Sequence, residues 1–326
     1  MKLKNAVKKA EESMNQAYLL EKLDHRIQHA LADITIGEII LNSDGKLWFV
    51  DHELHSVDIG IVDRQHAMSF VHALAQYECQ FLNVKKPYLD AILPFNNERI
   101  SVRVPPITNH VSFNIRKRSS RIYTLQDYVA LKVMTQHQAE ILINAISARK
   151  NILVSGSPGS GKTTLTNALL DAMTSVLPEG HRILMLEQIP ELQCKAKNQE
   201  SFFVSEHCDM NKLLWNAMRS SPDCLVVGEV RDGAALDLLK AWNTGCHGGV
   251  ATIHANHARA AVQRLLDLSC EVVVTPPYTL LAEAVDIIVH IQANHKNTPN
   301  RQVTEIVSIE DFDMHTKKYQ FKRLDQ

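Results

Sequence analysis

The octapeptide Gly156-Ser157-Pro158-Gly159-Ser160-Gly161-Lys162-Thr163 satisfies G-x-x-x-x-G-K-[ST] at every fixed position. Its chemistry is anion binding. Glycines let successive backbone N–H groups turn inward as a nest for phosphate oxygens, and a helix starting at the lysine adds its positive end. Lys162 can reach the β- and γ-phosphates of a nucleoside triphosphate, and the Thr163 hydroxyl can take a Mg²⁺ coordination position. With Thr164, residues 156–164 form the candidate set for ATP and its Mg²⁺ ion.

Holding a phosphate is not hydrolysing it, so carboxylates must stand nearby. The apolar run Leu225-Val226-Val227 leads into Gly228-Glu229 and then Val230-Arg231-Asp232. A carboxylate at the carboxyl end of a parallel strand lies where open α/β sheets bind ligands. Glu229 is therefore the candidate to position or activate water. Gly228 breaks a hydrophobic-run-Asp-Glu pattern, which counts against metal ligation at that point. A second pair, Glu187 and Glu191, follows the apolar run Ile183 to Leu186, with Pro190 forcing a loop between them. Glu187 is a candidate for reaching the same phosphates through Mg²⁺ or water. His247 and His254 flank the run Val250 to Ile253, and a histidine past a strand end can sense a γ-phosphate. His25/His29 and His52/His55 have ligand-like spacing but no cysteine or carboxylate cluster beside them, so zinc is set aside.

These residues need elements to hold them. The first thirty residues lack Gly and Pro and read as one helix, with Leu19, Leu20, Leu23, Ile27 and Leu31 as its apolar stripe. Ile36–Leu41 and Leu47–Val50 around Asn42-Ser43-Asp44-Gly45 predict a hairpin, extended by Val57–Val62. Arg64–Phe81 reads as helix, and Ile100–Val104 and Val111–Ile115 as strands. Residues 1–118 thus predict a small α+β domain, with 119–135 a basic, polar linker and 136–326 a second domain. There, apolar strands alternate with helical stretches from Gln136–Ala148 to Ala258–Leu268, which implies a mostly parallel sheet with helices on both faces. Met68, Phe70 and Trp215 read as core.

Composition narrows the class. The 326 residues carry 35 Lys+Arg against 36 Asp+Glu, a formal charge of −1, which counts against coating nucleic acid by bulk charge. Nothing approaches the roughly 18 consecutive apolar residues of a membrane span, and the basic start lacks the apolar segment of a secretion signal. Six scattered cysteines without C-x-x-C point to reduced thiols, so a cytoplasmic protein is expected.

In order, four blocks resemble the traffic ATPases of secretion and pilus systems, a hexameric RecA-like family. They are Gly156–Thr163, Leu186-Glu187-Gln188-Ile189-Pro190-Glu191-Leu192, Val227-Gly228-Glu229-Val230-Arg231-Asp232, and the histidine block Thr244 to Asn256. The family's acidic block usually reads Glu-Asp, and here Gln188 takes the Asp position, so the resemblance leaves the metal or water work to Glu187 and Glu191. The segments Glu38–Trp48 and Phe113–Arg118 are similar to the N-terminal domain of its TrbB-like, conjugative-transfer branch in type IV secretion.

The resemblance implies a C-terminal RecA-like domain, with ATP and Mg²⁺ held in the cleft between two domains. It also implies arginines from the N-terminal domain closing the site, and Arg99 and Arg116 match those places. It further implies a hexameric homo-oligomer, peripherally associated with the inner membrane and partnered by the inner-membrane components of a secretion or conjugation apparatus. Lys2, Lys4, Lys8 and Lys9 are candidate membrane contacts. The lack of a C-x-x-C pair, and of an Ala-Ile-Arg-Asn-Leu-like block near Leu268–Pro277, favours type IV secretion over pilus motors. A pilus motor and a RecA-like nucleic-acid motor remain as alternatives. The latter needs a basic, aromatic strand-binding groove, against which 6% aromatic content counts. A scaffold that binds ATP without turnover is a third possibility, separable by phosphate release.

Overall fold

Strands β1 (Ile36–Leu41) and β2 (Lys46–Asp51) meet across the Asn42–Gly45 turn, where Gly45 takes the left-handed φ of +91° that the tight reversal needs. A computed structural model describes residues 14–52, 55–118, 121–205, 207–294 and 299–326. The chain divides into two units, Met1–Ser120 and Arg121–Gln326.

In the first unit, β3 (Ser56–Ile61), β4 (Tyr88–Ile92), β5 (Arg99–Arg103) and β6 (Ser112–Arg116) complete an antiparallel sheet of order β3-β2-β1-β6-β5-β4. Helical residues 14–21, α1 (His25–Ala32) and α2 (Arg64–Tyr77) supply its core. The expected single N-terminal helix is broken. Asp24 caps α1 by accepting from the Arg26 N–H at 2.9 Å, and its carboxylate also takes the Arg26 guanidinium, which fixes a new helix start. Residues 1–13, including the four lysines assigned to membrane contact, lie outside the described residues. Period-2 alternation sends Ile100, Val102 and Ile115 into the core with Phe70 and Phe113, whose rings meet edge-on at 5.6 Å. Arg99 and Arg116 are direct cross-strand partners in the β5–β6 ladder, so both arginines share the opposite face.

The second unit opens with α3 (Leu125–Ala130), inside the stretch expected as linker. A capping box between Thr124 and Asp127 starts this helix, and Leu125, Tyr128 and Met134 are buried in the core of the unit. Then come α4 (Gln136–Ser147), β7 (Ile152–Gly156), α5 (Lys162–Val176), β8 (Ile183–Glu187), β9 (Gln199–Phe203) and α6 (Met210–Met218). They are followed by β10 (Cys224–Val227), α7 (Ala234–Asn243), β11 (Val250–His254), α8 (Ala258–Ser269), α9 (Tyr278–Ala284), β12 (Ile287–Ala293), β13 (Arg301–Asp313) and β14 (Lys318–Arg323).

The sheet order is β14-β13-β12-β7-β11-β10-β8-β9, parallel from β12 to β9 and antiparallel at β13 and β14. Helices cover both faces. Leu153 of β7 joins the core with α6 to α8, while its neighbours Ile152 and Val154 join the core with α3 to α5. A strand buried on both sides reads as a continuous apolar run, and β7 does. Trp215 departs from expectation. It is 57% exposed on the outer side of α6, with the Arg219 guanidinium 3.7 Å from its ring centroid.

Candidate active site

Parallel strands bring their carboxyl ends to one edge, so the loop after β7, Glu187 at the end of β8, Glu229 after β10 and His254 at the end of β11 converge there. The phosphate loop turns between β7 and α5. Gly159 (φ +74°) and Gly161 (φ +95°) take left-handed backbone, the turn that a nest of inward N–H groups requires.

Lys162 is buried at the centre of this group. Its ammonium donates to the loop carbonyls of Gly156 and Ser157, each at 3.0 Å, and to Nδ1 of His254 at 3.0 Å. An ammonium only donates, so Nδ1 accepts and the imidazole proton sits on Nε2. That nitrogen lies 2.6 Å from Glu229 Oε1, a close approach outside hydrogen-bond geometry, so Oε1 has no hydrogen-bond partner among the described residues. Burial and then the Lys162 charge hold His254 below its ordinary value, so it is neutral at neutral pH. The other oxygen of Glu229 accepts from Arg231 Nη2 at 2.6 Å, and Arg231 Nη1 donates to Gln188 Oε1 at 2.9 Å. Burial works to raise the Glu229 carboxyl, but the Arg231 hydrogen bond and the Arg231, His254 and Lys162 charges outweigh it, leaving it lowered and ionised. One chain of contacts therefore runs Lys162–His254–Glu229–Arg231–Gln188.

A second chain runs along the acidic loop. Glu187 is 2% exposed, and its Oε1 accepts from the N–H groups of Glu191 and Leu192 at 2.8 and 2.7 Å. Gly228 lies against it, since a Cβ there would stand 3.3 Å from Glu187 Cγ. The folded loop sets Glu191 Oε2 to accept from the Thr163 hydroxyl at 3.1 Å. Asn167, one turn beyond Thr163 on α5, clasps the same loop by donating to Glu191 O and accepting from Gln193 N–H.

Lys162, Thr163, Glu187, Glu191, Glu229 and His254 are thus brought together. His247 is not. It is exposed at the amino end of β11, the opposite edge of the sheet, because four strand residues separate it from His254's end. Arg99 and Arg116 belong to the first unit, where Arg116 Nε lies 3.8 Å from Glu38 Oε1. Sequence reasoning gave no role to Arg231 or Asn167. Arg231 is two residues from Glu229 and Asn167 is four from Thr163 on one helix, and those spacings were the available signal.

The oxygen donors suit a hard cation, since Thr163 Oγ1 and Glu191 Oε2 already face each other. The loop suits a phosphate. Ser160 Oγ is buried within it without a hydrogen-bond partner among the described residues, and the Lys162 ammonium donates to the loop carbonyls.

The model of the type II/IV secretion system protein family matches residues 22–318. The chain belongs to that family. Among secretion system proteins it is 41% identical over 295 residues to the conjugal transfer protein TrbB of Rhizobium radiobacter, covering 90% of each chain. It is 30% identical over 291 residues to the type IV secretion system protein VirB11 of Bartonella henselae, covering 76% of this chain and 80% of that one. Among solved structures, the ATPase DotB of Legionella pneumophila matches with a TM-score of 0.59 at 13% identity, over 91% of this chain and 78% of that one. The pilus retraction motor PilT with bound ADP matches with a TM-score of 0.59 at 18% identity, over 81% and 76%. Both share the fold. The sequence resemblance to secretion traffic ATPases and the α/β, RecA-like fold are borne out by these comparisons.

Proposed function

We propose that this secretion system protein hydrolyses ATP to power type IV secretion or conjugative transfer. It would work as a homo-oligomeric, hexameric ring at the cytoplasmic face of the inner membrane, beside the membrane components of the apparatus. The observation that carries the chemistry is the Lys162–His254–Glu229 contact chain at the mouth of the phosphate loop. The 41% identity to a conjugal transfer protein over 90% of the chain supports the biological setting. No helix of the described residues is long and apolar enough to cross a membrane, so contact with the bilayer would be peripheral.

The roles follow from the geometry. Residues 156–164 bind the phosphates, with Lys162 exchanging loop carbonyls for phosphate oxygens, which are stronger partners for an ammonium. Thr163 and Glu191 would hold Mg²⁺, which when bound would neutralise phosphate charge. Glu187 holds the loop that delivers Glu191. Glu229, kept ionised by Arg231, accepts a hydrogen bond from the attacking water through its unpartnered Oε1, and neutral His254 stands between that carboxylate and the lysine at the phosphates. Arg99 and Arg116 are assigned to stabilising phosphoryl charge. Their side-by-side placement on one strand pair supports this, since two planar guanidinium groups can act on one anion.

The test is Lys162→Ala. Turnover of ATP by the purified variant should vanish, and conjugative transfer from cells carrying it should stop. Wild-type turnover would remove the phosphate-loop assignment, whereas lost turnover with intact transfer would detach the enzyme from transfer.

A further inference from the structure

The phosphate loop has two unlike flanks. Strand β7 stands between β11 and β12. On the β11 side lie His254, Glu229 and the acidic loop, the groups suited to the hydrolysed end of a nucleotide. Among the described residues, the β12 side presents Ile291 and Arg301 to the loop glycines. The left-handed Gly161 marks the contact. A Cβ there would stand 3.2 Å from Arg301 Cδ, 3.6 Å from its Nε and 3.7 Å from Ile291 Cδ1. Arg301 Nε is buried and has no hydrogen-bond partner among the described residues. Ser160 Oγ, fully buried in the same loop, also lacks a partner among the described residues.

A guanidinium only donates, so its complement is an acceptor, and a charged acceptor best of all. Gly161 leads directly into Lys162, Thr163 and Thr164, whose turn cradles the inner phosphates when a nucleotide binds. With the γ-phosphate directed to the carboxylate flank, the acceptor nearest the other flank is the α-phosphate. We propose that Arg301 binds the α-phosphate of the nucleotide and so reads the non-reacting end of the substrate. This rests on the phosphate-loop reading above and adds to it a residue outside every motif of the sequence.

The test uses full-length protein and equilibrium binding of ATP and ADP, without added divalent metal so that no metal reads the α-phosphate. Arg301→Gln should weaken binding about 10- to 100-fold, the range for one hydrogen-bonded contact to a charged group. Arg301→Lys should recover part of the loss, keeping the charge but not the fork. A supporting wall for Gly161 would show the same losses, so stereochemistry decides. The Rp and Sp isomers of ATPαS place sulfur at different non-bridging positions on the α-phosphate. Wild type should prefer one isomer, and Arg301→Gln should bind the two alike.

A Gln variant that keeps the wild-type isomer ratio, or a wild type with no preference, overturns the proposal. Lys162→Ala is run alongside. If that variant binds ATP as tightly as wild type, the phosphate-loop reading itself has failed, which is a separate result from a failure of Arg301.

Discussion

Replacing Glu229 with Gln keeps the side-chain shape and removes its charge. Two contacts change, the 2.6 Å bond from Arg231 and the 2.6 Å approach of His254 Nε2. A charged hydrogen bond contributes about 1.5–3 kcal/mol when buried. Arg231 is 44% exposed, so solvent screening reduces its share toward the ~0.2–1 kcal/mol of surface pairs. The expected stability loss is therefore about 1 kcal/mol, a melting shift of roughly 2–4 °C for a unit the size of Arg121–Gln326. The catalytic loss is larger. Positioned proton acceptance contributes about 10²–10⁴-fold, equivalent to roughly 3–5 kcal/mol of barrier.

The two effects separate in measurement. Phosphate release with Mg²⁺ and ATP should fall at least about 100-fold, while nucleotide affinity stays within a few-fold and the melting temperature moves only slightly. Phosphate release within about threefold of wild type would refute the reasoning, since no general base contributes so little. The water-positioning role would then pass to Glu191 or Glu187.

Glu187→Gln should destabilise by about 1–3 kcal/mol, because one buried and one part-buried N–H group lose a charged acceptor, and should weaken Mg²⁺-dependent turnover more than metal-free ADP binding. Urea unfolding beside a Mg²⁺ titration checks both parts. Arg116→Ala should slow phosphate release by about 1,000-fold or more while leaving stability within ~0.5 kcal/mol, since its contact to Glu38 is solvent-exposed. An unchanged rate would return it to the sheet surface. Burial lowers both His254 and His290 below the ordinary 6.5, so the folded chain keeps these imidazoles neutral where the unfolded chain begins to protonate them. Stability should be level above about pH 7 and fall as pH drops below 6.5. His290→Asn should flatten that slope in thermal unfolding across the same range.

Local signals carried much of the architecture. The hairpin around Gly45, the alternation of strands and helices after residue 136, and the loop 156–163 each depend on neighbours within a few residues, which is what periodicity and turn chemistry report. Elements without such signals were missed. Strand β4 (Tyr88–Ile92) holds a charged Asp90 and pairs only at an edge, and β9 pairs beside β8 across an irregular loop. The break at Asp24 was overlooked because composition there stays helix-forming. Trp215 was read as core because helical spacing cannot say which side of α6 meets the sheet.

By itself, the sequence determined the family, the phosphate loop and the presence of acids and histidines near strand ends, since all are written in contiguous residues. Only the tertiary structure decided what each contacts. Glu187 and Glu191 look equivalent in sequence, yet the fold turns the first into the loop's own hydrogen-bond acceptor and the second toward Thr163. His247 and His254 look equivalent too, but a parallel strand sends them to opposite edges of the sheet. Arg301 lies 140 residues beyond Gly161 and meets it because β12 pairs with β7. Strand order is a long-range property. It follows from how apolar faces bury against one another, and no local pattern encodes it.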